Sequence, residues 1–218
     1  MSTPAFQFKD LDDKAKERAR EKMSEWQVDH SWWEHIYDDA VHAMATISIE
    51  VGEKANRTAA GQIIKDPSIW FSGFGSQGDG CSFEGVLYVA RLKECTVKAK
   101  AYAPLDTDFH ALALRAEGIF DTIIVEQVRQ RMLSVEDHPD CHEAATFLIS
   151  SGPRGHTTEL NYGSGIPIEL EKTIDSWLKD VAAWIYDLLE KEYDHLISEE
   201  SLNAACEGYT FDEGGEIQ

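Results

Sequence analysis

The stretch Ser68-Ile-Trp-Phe-Ser-Gly-Phe-Gly-Ser-Gln-Gly-Asp-Gly-Cys-Ser-Phe-Glu-Gly-Val-Leu-Tyr-Val89 decides how this chain folds. Ser68 to Phe71 and Ser82 to Val89 carry the aromatic and aliphatic residues that suit strands. Between them, Gly73-Phe-Gly-Ser-Gln-Gly-Asp-Gly80 is all turn chemistry. The natural reading is an antiparallel hairpin with a long glycine loop. Four glycines within eight residues cost folding entropy, so the loop needs a tight backbone geometry.

Helical patterns precede this hairpin. Leu11, Ala15, Ala19 and Met23 recur every fourth residue, with Asp10 or Asp12 placed to cap them. Ser31 is the expected cap of a second helix, in which Trp33, Ile36, Tyr37, Ala40, Val41 and Met44 follow the 3.6-residue period. Ile47 to Val51 alternates as a strand does. Gly52 to Asp66 fits neither period.

Beyond the hairpin, Thr96 to Ala103 reads as a strand stopped by Pro104. A helix capped by Asp106 or Thr107 runs to about Phe120, and 121–134 continues as helix. Ala145 to Ser150 and His156 to Tyr162 read as strands around a Gly152-Pro153 turn. Pro167 opens the longest helix, to about Leu196, with Ile174, Trp177, Leu178, Val181, Trp184, Ile185, Leu188 and Leu189 as its apolar stripe. A short helix from Ser198 and a strand-like Tyr209 to Phe211 close the chain. Helices flanking an antiparallel sheet, with a long C-terminal helix, define an α+β fold. No linker divides the chain, so one domain over 1–218 is expected.

The chain has 218 residues, with 40 acidic and 20 basic side chains and a net charge of -20. Residues 135–218 hold 19 acidic and 4 basic side chains, so most of the excess lies there. Direct binding to nucleic acid, which needs basic patches, is not expected. No apolar run is long enough for a membrane span, and residues 1–10 carry no apolar leader. Cys81, Cys95, Cys141 and Cys206 lie far apart without a CxxC pair, the pattern of reduced cytoplasmic thiols.

Several motifs carry possible chemistry. Gly73 to Gly78 matches G-x-G-x-x-G, but a strand rather than a helix follows, so the dinucleotide geometry is not expected. The loop is either purely structural or a recognition element exposing Ser76, Gln77 and Asp79, with Cys81 beside it. Asp137 to Glu143 gathers His138, Cys141 and His142, yet Pro139 breaks the helical spacing a zinc site would use. His35, Asp39 and His42 can share one helical face. No nucleophile signature is present: Ser76 has Phe74 where Gly-x-Ser-x-Gly needs its first glycine. No catalytic residue, metal ligand set or cofactor is assigned.

Four stretches carry a resemblance: Phe8 to Arg20, Trp33-Glu-His-Ile-Tyr-Asp-Asp-Ala40, Ile69 to Gly85, and Trp184-Ile-Tyr-Asp-Leu-Leu-Glu-Lys-Glu-Tyr193. With these, the chain resembles a set of acidic proteins common in bacteriophage and prophage genomes. Those proteins are often labelled antitoxins of toxin–antitoxin stability systems. Gly75 departs from the pattern, which more often has a bulky aromatic there, and 111–145 follows it poorly. The resemblance and the charge together imply a phage-type inhibitor in the bacterial cytoplasm. It would bind a toxin, or a host defence or nucleic-acid-binding protein, through an acidic surface. The alternative is an enzyme, or a small-ligand or nucleotide binder, centred on loop 73–80.

Overall fold

A computed structural model describes residues 5–29, 31–57, 61–88, 91–133, 146–150, 157–161 and 168–218. The fold is α+β, with antiparallel sheets, flanking helices and a long C-terminal helix. The chain forms two compact units, Met1–His35 with Leu188–Gln218, and Ile36–Asp187.

The first unit starts with strand β1 (Phe6–Gln7) and helix α1 (Asp13–Asp29). Asp12 caps α1, its Oδ1 accepting from Ala15 N at 2.7 Å. The fourfold spacing then buries Leu11, Ala15, Ala19 and Met23. They pack with Phe8, Leu202, Cys206 and Phe211, which come from the far end of the chain. The last turns of a helix ending at Leu196 lead to a short C-terminal helix, whose cap Ser198 accepts from Ser201 N at 3.2 Å. The terminal strand then pairs with β1, Phe6 opposite Phe211. Sequence reasoning missed β1 because two residues show no alternation.

In the second unit, helix α2 (Glu34–Thr46) buries Tyr37, Ala40 and Met44. The chain turns at Ser48, which has φ +67, into strand β2 (Ile49–Val51). It then leaves the sheet as a hairpin, β3 (Glu53–Arg57) and β4 (Ile63–Pro67), the segment whose sequence fitted neither period. It returns as β5 (Ile69–Ser72) and continues as β6 (Gly80–Tyr88). Both β2 and β5 pair with β6, Ile49 opposite Leu87 and Ile69 opposite Phe83. The excursion is closed where it begins: Gly52 N donates to Glu84 O at 2.8 Å and Ser68 N to Gly52 O at 2.7 Å.

Thr96 to Ala103, expected as a strand, is instead helix α3 (Cys95–Tyr102). The buried residues are Cys95 and Ala99, four apart, while Val97 is 69% exposed. The segment's Ala and Lys residues favour helix over strand. Its first turn is held from outside: Thr96 N and Oγ1 each donate to the Glu117 carboxylate at 2.9 Å. Glu117 lies in α4 (Thr107–Leu133), one continuous helix capped by Asp106, whose Oδ1 accepts from Phe109 N at 2.8 Å.

Strands β7 (Thr146–Ser150) and β8 (Thr157–Asn161) complete a five-stranded antiparallel sheet, β6 pairing with β7 and β7 with β8. Their expected Gly152-Pro153 turn lies outside the described residues. Helix α5 (Ile168–Leu196) follows, with Ile174, Trp177, Leu178, Val181, Trp184, Ile185 and Leu189 buried and Leu188 half-buried. Its two tryptophans engage the α4 segment. Trp177 Nε1 donates to Leu112 O at 3.0 Å, and Trp184 stacks on Phe109 at 4.7 Å while donating to Asp106 at 2.9 Å. Helix α6 (Glu199–Cys206) and strand β9 (Thr210–Phe211) are the C-terminal elements of the first unit.

Candidate functional site

The glycine loop joins β5 to β6, as the hairpin reading required. Gly73 and Gly78 have φ of +42 and +104, the left-handed backbone that glycine adopts without strain. Asp79 organises the turn from within. Its Oδ2 accepts from Gly75 N at 2.9 Å and from Ser76 N at 2.6 Å, and its own N donates to Ser76 O at 3.1 Å. The loop therefore does form a small nest of amides, but the anion seated in it is Asp79 itself. Gly73 is hemmed in by the same carboxylate: a Cβ there would lie 3.0 Å from Oδ2.

The loop is also clamped at its base by aromatic rings. Tyr37 of α2 meets Phe71 edge-on at 6.4 Å, Phe71 stacks on Phe74 at 5.5 Å, and Phe74 leans on Tyr186 of α5 at 5.3 Å. Tyr186 then donates its hydroxyl proton to Gly73 O at 2.9 Å. Such ring pairs contribute about 0.5–1.5 kcal/mol each beyond area burial. Ser76, Gln77 and Gly78 are left exposed at the tip, on a backbone that is held at both ends.

Cys81 lies across from Phe71 in the strand register, and its thiol is shielded. Burial pushes the thiol up to about 12, against an ordinary value of 9.0, and the nearby Lys54 ammonium only partly offsets this. The thiol is thus neutral at physiological pH, the opposite of an activated nucleophile. Lys54 of β3 reaches back to donate to Ile69 O at 2.5 Å, with its ammonium 4.5 Å from the Trp70 ring centre. Burial lowers its pKa, while the Tyr37 hydroxyl is raised, first by burial.

The other candidate residues are occupied separately. His42 Nδ1 donates to the Asp38 carbonyl at 2.6 Å. Asp39 receives the Tyr102 hydroxyl at 3.4 Å, and His35 Nε2 lies 3.5 Å from a Glu192 carboxylate oxygen. Among the described residues, no group of three or more His, Cys, Asp or Glu could hold a metal ion. His138, Cys141, His142 and His156 lie outside the described residues.

Of the net -15 in residues 135–218, residues 188–218 carry -8. Residues 188–218 contain nine acidic side chains and one basic, Lys191. They occupy the end of α5, α6 and the strand that follows. Glu200, Glu207 and Glu213 are exposed. The terminal turn that carries Glu213 is tied down. Asp212 Oδ1 accepts from Gly214 N at 2.8 Å and Glu216 N at 2.9 Å, and Gly215, at φ +87, packs so close that a Cβ would meet Ala15 O at 2.2 Å. Within this unit Trp26 and Tyr209 form an edge-to-face pair at 5.9 Å, 43% and 41% exposed. Sequence reasoning passed over this pair, whose members are far apart in the chain. Trp26 continues the apolar stripe of α1 three residues after Met23, which gave no sign that its ring is left exposed.

No helix among the described residues is long and apolar enough to cross a membrane. No curated protein and no solved structure matches the chain. Residues 32–199, more than half of the chain, match the model of a domain of unknown function, DUF8835, and the chain belongs to that family.

Proposed function

We propose that this protein is a non-enzymatic, phage-type inhibitor in the bacterial cytoplasm that neutralises a basic partner protein, a toxin or a host defence factor, through an acidic surface. The observation that carries this reading is the nine-to-one excess of acidic side chains in residues 188–218, on helices α5 and α6 and a terminal turn held by Asp212 and Gly215. A fixed acidic surface steers a basic partner and speeds its association. Affinity needs anchors as well as charge, and the exposed Trp26–Tyr209 pair is of the type that supplies them. In the other unit, Ser76 and Gln77 at the tip of the braced glycine loop are exposed neutral groups able to hydrogen-bond a partner. The other reading, an enzyme or a small-ligand or nucleotide binder centred on loop 73–80, is less well supported. Asp79 already occupies the amides that would cradle an anion, and the Cys81 thiol is neutral.

The test is affinity purification of the tagged protein from its bacterial host, alongside a Glu200→Lys, Glu207→Lys, Glu213→Lys variant. Wild type should enrich a basic partner whose isolated activity it then suppresses, and the variant should do neither. Equal recovery and suppression by the two proteins would exclude the acidic surface.

A further inference from the structure

Against the overall charge of -20, one surface stands out with the opposite sign. Residues 91–102, helix α3 and the turn before it, carry Arg91, Lys93, Lys98 and Lys100 against a single acidic residue, Glu94. All four basic residues are exposed. Apolar groups are exposed here too: Val97 on α3 is 69% and Leu105, in the turn that follows it, 93% exposed. Val97 and Ala101 follow one another at fourfold spacing on α3, away from the buried Cys95 and Ala99, while Leu105 lies in the turn beyond the helix end at Tyr102. An apolar strip rimmed by charge is the anatomy of a protein interface rather than of a phosphate-binding groove.

The surface is held as a rigid unit. Besides the Glu117 clasp on Thr96, Ser48 Oγ donates to Arg91 O at 2.7 Å. Two left-handed non-glycine residues, Ser48 and Glu94 at φ +67 and +66, frame this junction. Such conformations persist only where the surroundings enforce them.

We propose that the α3 face docks on the acidic 188–218 surface of a second copy of this chain. Charge complementarity points to that occupant: residues 91–102 carry net +3 and residues 188–218 net -8, with Arg20 of α1 pairing, among the described residues, only Glu199 of that segment at 3.6 Å. Both also expose an apolar group, Val97 of α3 on one and Tyr209, paired with Trp26 of α1, on the other. The lysines face carboxylates while the apolar groups exclude water between them. This inference rests on the acidic surface of the proposed function and adds its regulation: self-association and partner binding compete for the same carboxylates.

The experiment is sedimentation equilibrium of the purified protein alone, so a failure here leaves the partner-binding proposal standing. Wild type should sediment above the 24.5 kDa of one chain at low ionic strength. Raising salt to about 0.5 M should weaken the association by about tenfold or more. Lys98→Glu with Lys100→Glu should be monomeric at low salt, as should Glu207→Lys with Glu213→Lys. An equimolar mixture of these two variants should associate again, because each retains the surface the other lacks. That recovery also establishes that both variants are folded. A monomeric wild type at about 0.1 mM and low salt would overturn the proposal, since useful protein affinities lie far below that concentration. So would a mixture that stays monomeric. A wild type that is monomeric but retained on a polyanion such as single-stranded DNA, with retention lost in the Lys98, Lys100 variant, would assign the face to nucleic acid and overturn it equally.

Discussion

Replacing Asp79 by alanine removes the acceptor for two loop amides, Gly75 N at 2.9 Å and Ser76 N at 2.6 Å. A hydrogen bond to a charged acceptor contributes about 1.5–3 kcal/mol when water is excluded. Gly75 and Ser76 are exposed, so their freed amides regain water and most of that value is returned. The nearest analogue is loss of a helix cap, which costs about 0.5–2 kcal/mol. Two amides at these distances place Asp79→Ala at about 1–2 kcal/mol, or roughly 2–8 °C in Tm for a chain of this length. Asp79→Asn keeps one oxygen acceptor and should lose about half as much. Gln77→Ala, at the exposed tip, should stay within about 0.5 kcal/mol of wild type while weakening partner binding. Urea unfolding followed by tryptophan fluorescence measures all three. If Asp79→Ala unfolds within about 0.3 kcal/mol of wild type, or Gln77→Ala costs as much as Asp79→Ala, the account of a self-braced loop is wrong.

Three further outcomes are expected. Trp184→Ala removes the ring stacked on Phe109 and the donor to Asp106, and should cost about 3–5 kcal/mol in chemical denaturation. Gly85→Ala would place a Cβ 2.5 Å from Glu50 O and 3.1 Å from Val51 Cα, both backbone atoms, so β2 must shift. A cost of about 1–3 kcal/mol, with faster amide exchange in β2, is the check. The Cys81 thiol, held near 12, and the Cys95 thiol, held near 11, ionise later in the folded chain than in the unfolded one, whose thiols ionise near 9.0. Stability is therefore intact below that value and falls as pH climbs from there toward 12; denaturation midpoints across this range should fall, and less steeply for Cys81→Ala.

The parts of the fold legible from sequence are those where one face is buried and the chain announces its own ends. Leu11, Ala15, Ala19 and Met23 show their helix, and Asp12, Asp106 and Ser198 act as the caps their positions suggested. The hairpin around the glycine loop was equally open to reading. Helix α3 was misread because Thr96 and Val97 carry strand propensity while the decisive groups, Glu117 and Ser48, lie 21 and 43–47 residues from their contacts. The β3–β4 hairpin gave no period because nearly all of it is exposed, with Ile63 64% and Ile64 40% accessible. A strand with no buried face has no reason to alternate. At the loop, the turn-forming role of Asp79 was readable from its place before Gly80. The clamp of Tyr37, Phe71, Phe74 and Tyr186 was not, because it is assembled from three separate elements.

On the proposed function, the carboxylates of 188–218 bring a basic partner to this protein. The most direct test is the association rate constant with the partner recovered by affinity purification, measured by stopped-flow fluorescence across ionic strength. The rate should fall by about tenfold or more between 0.05 and 0.5 M salt, and be low and nearly salt-independent for Glu200→Lys, Glu207→Lys, Glu213→Lys. A wild-type rate that ignores salt, or a variant that associates as fast as wild type, would contradict it.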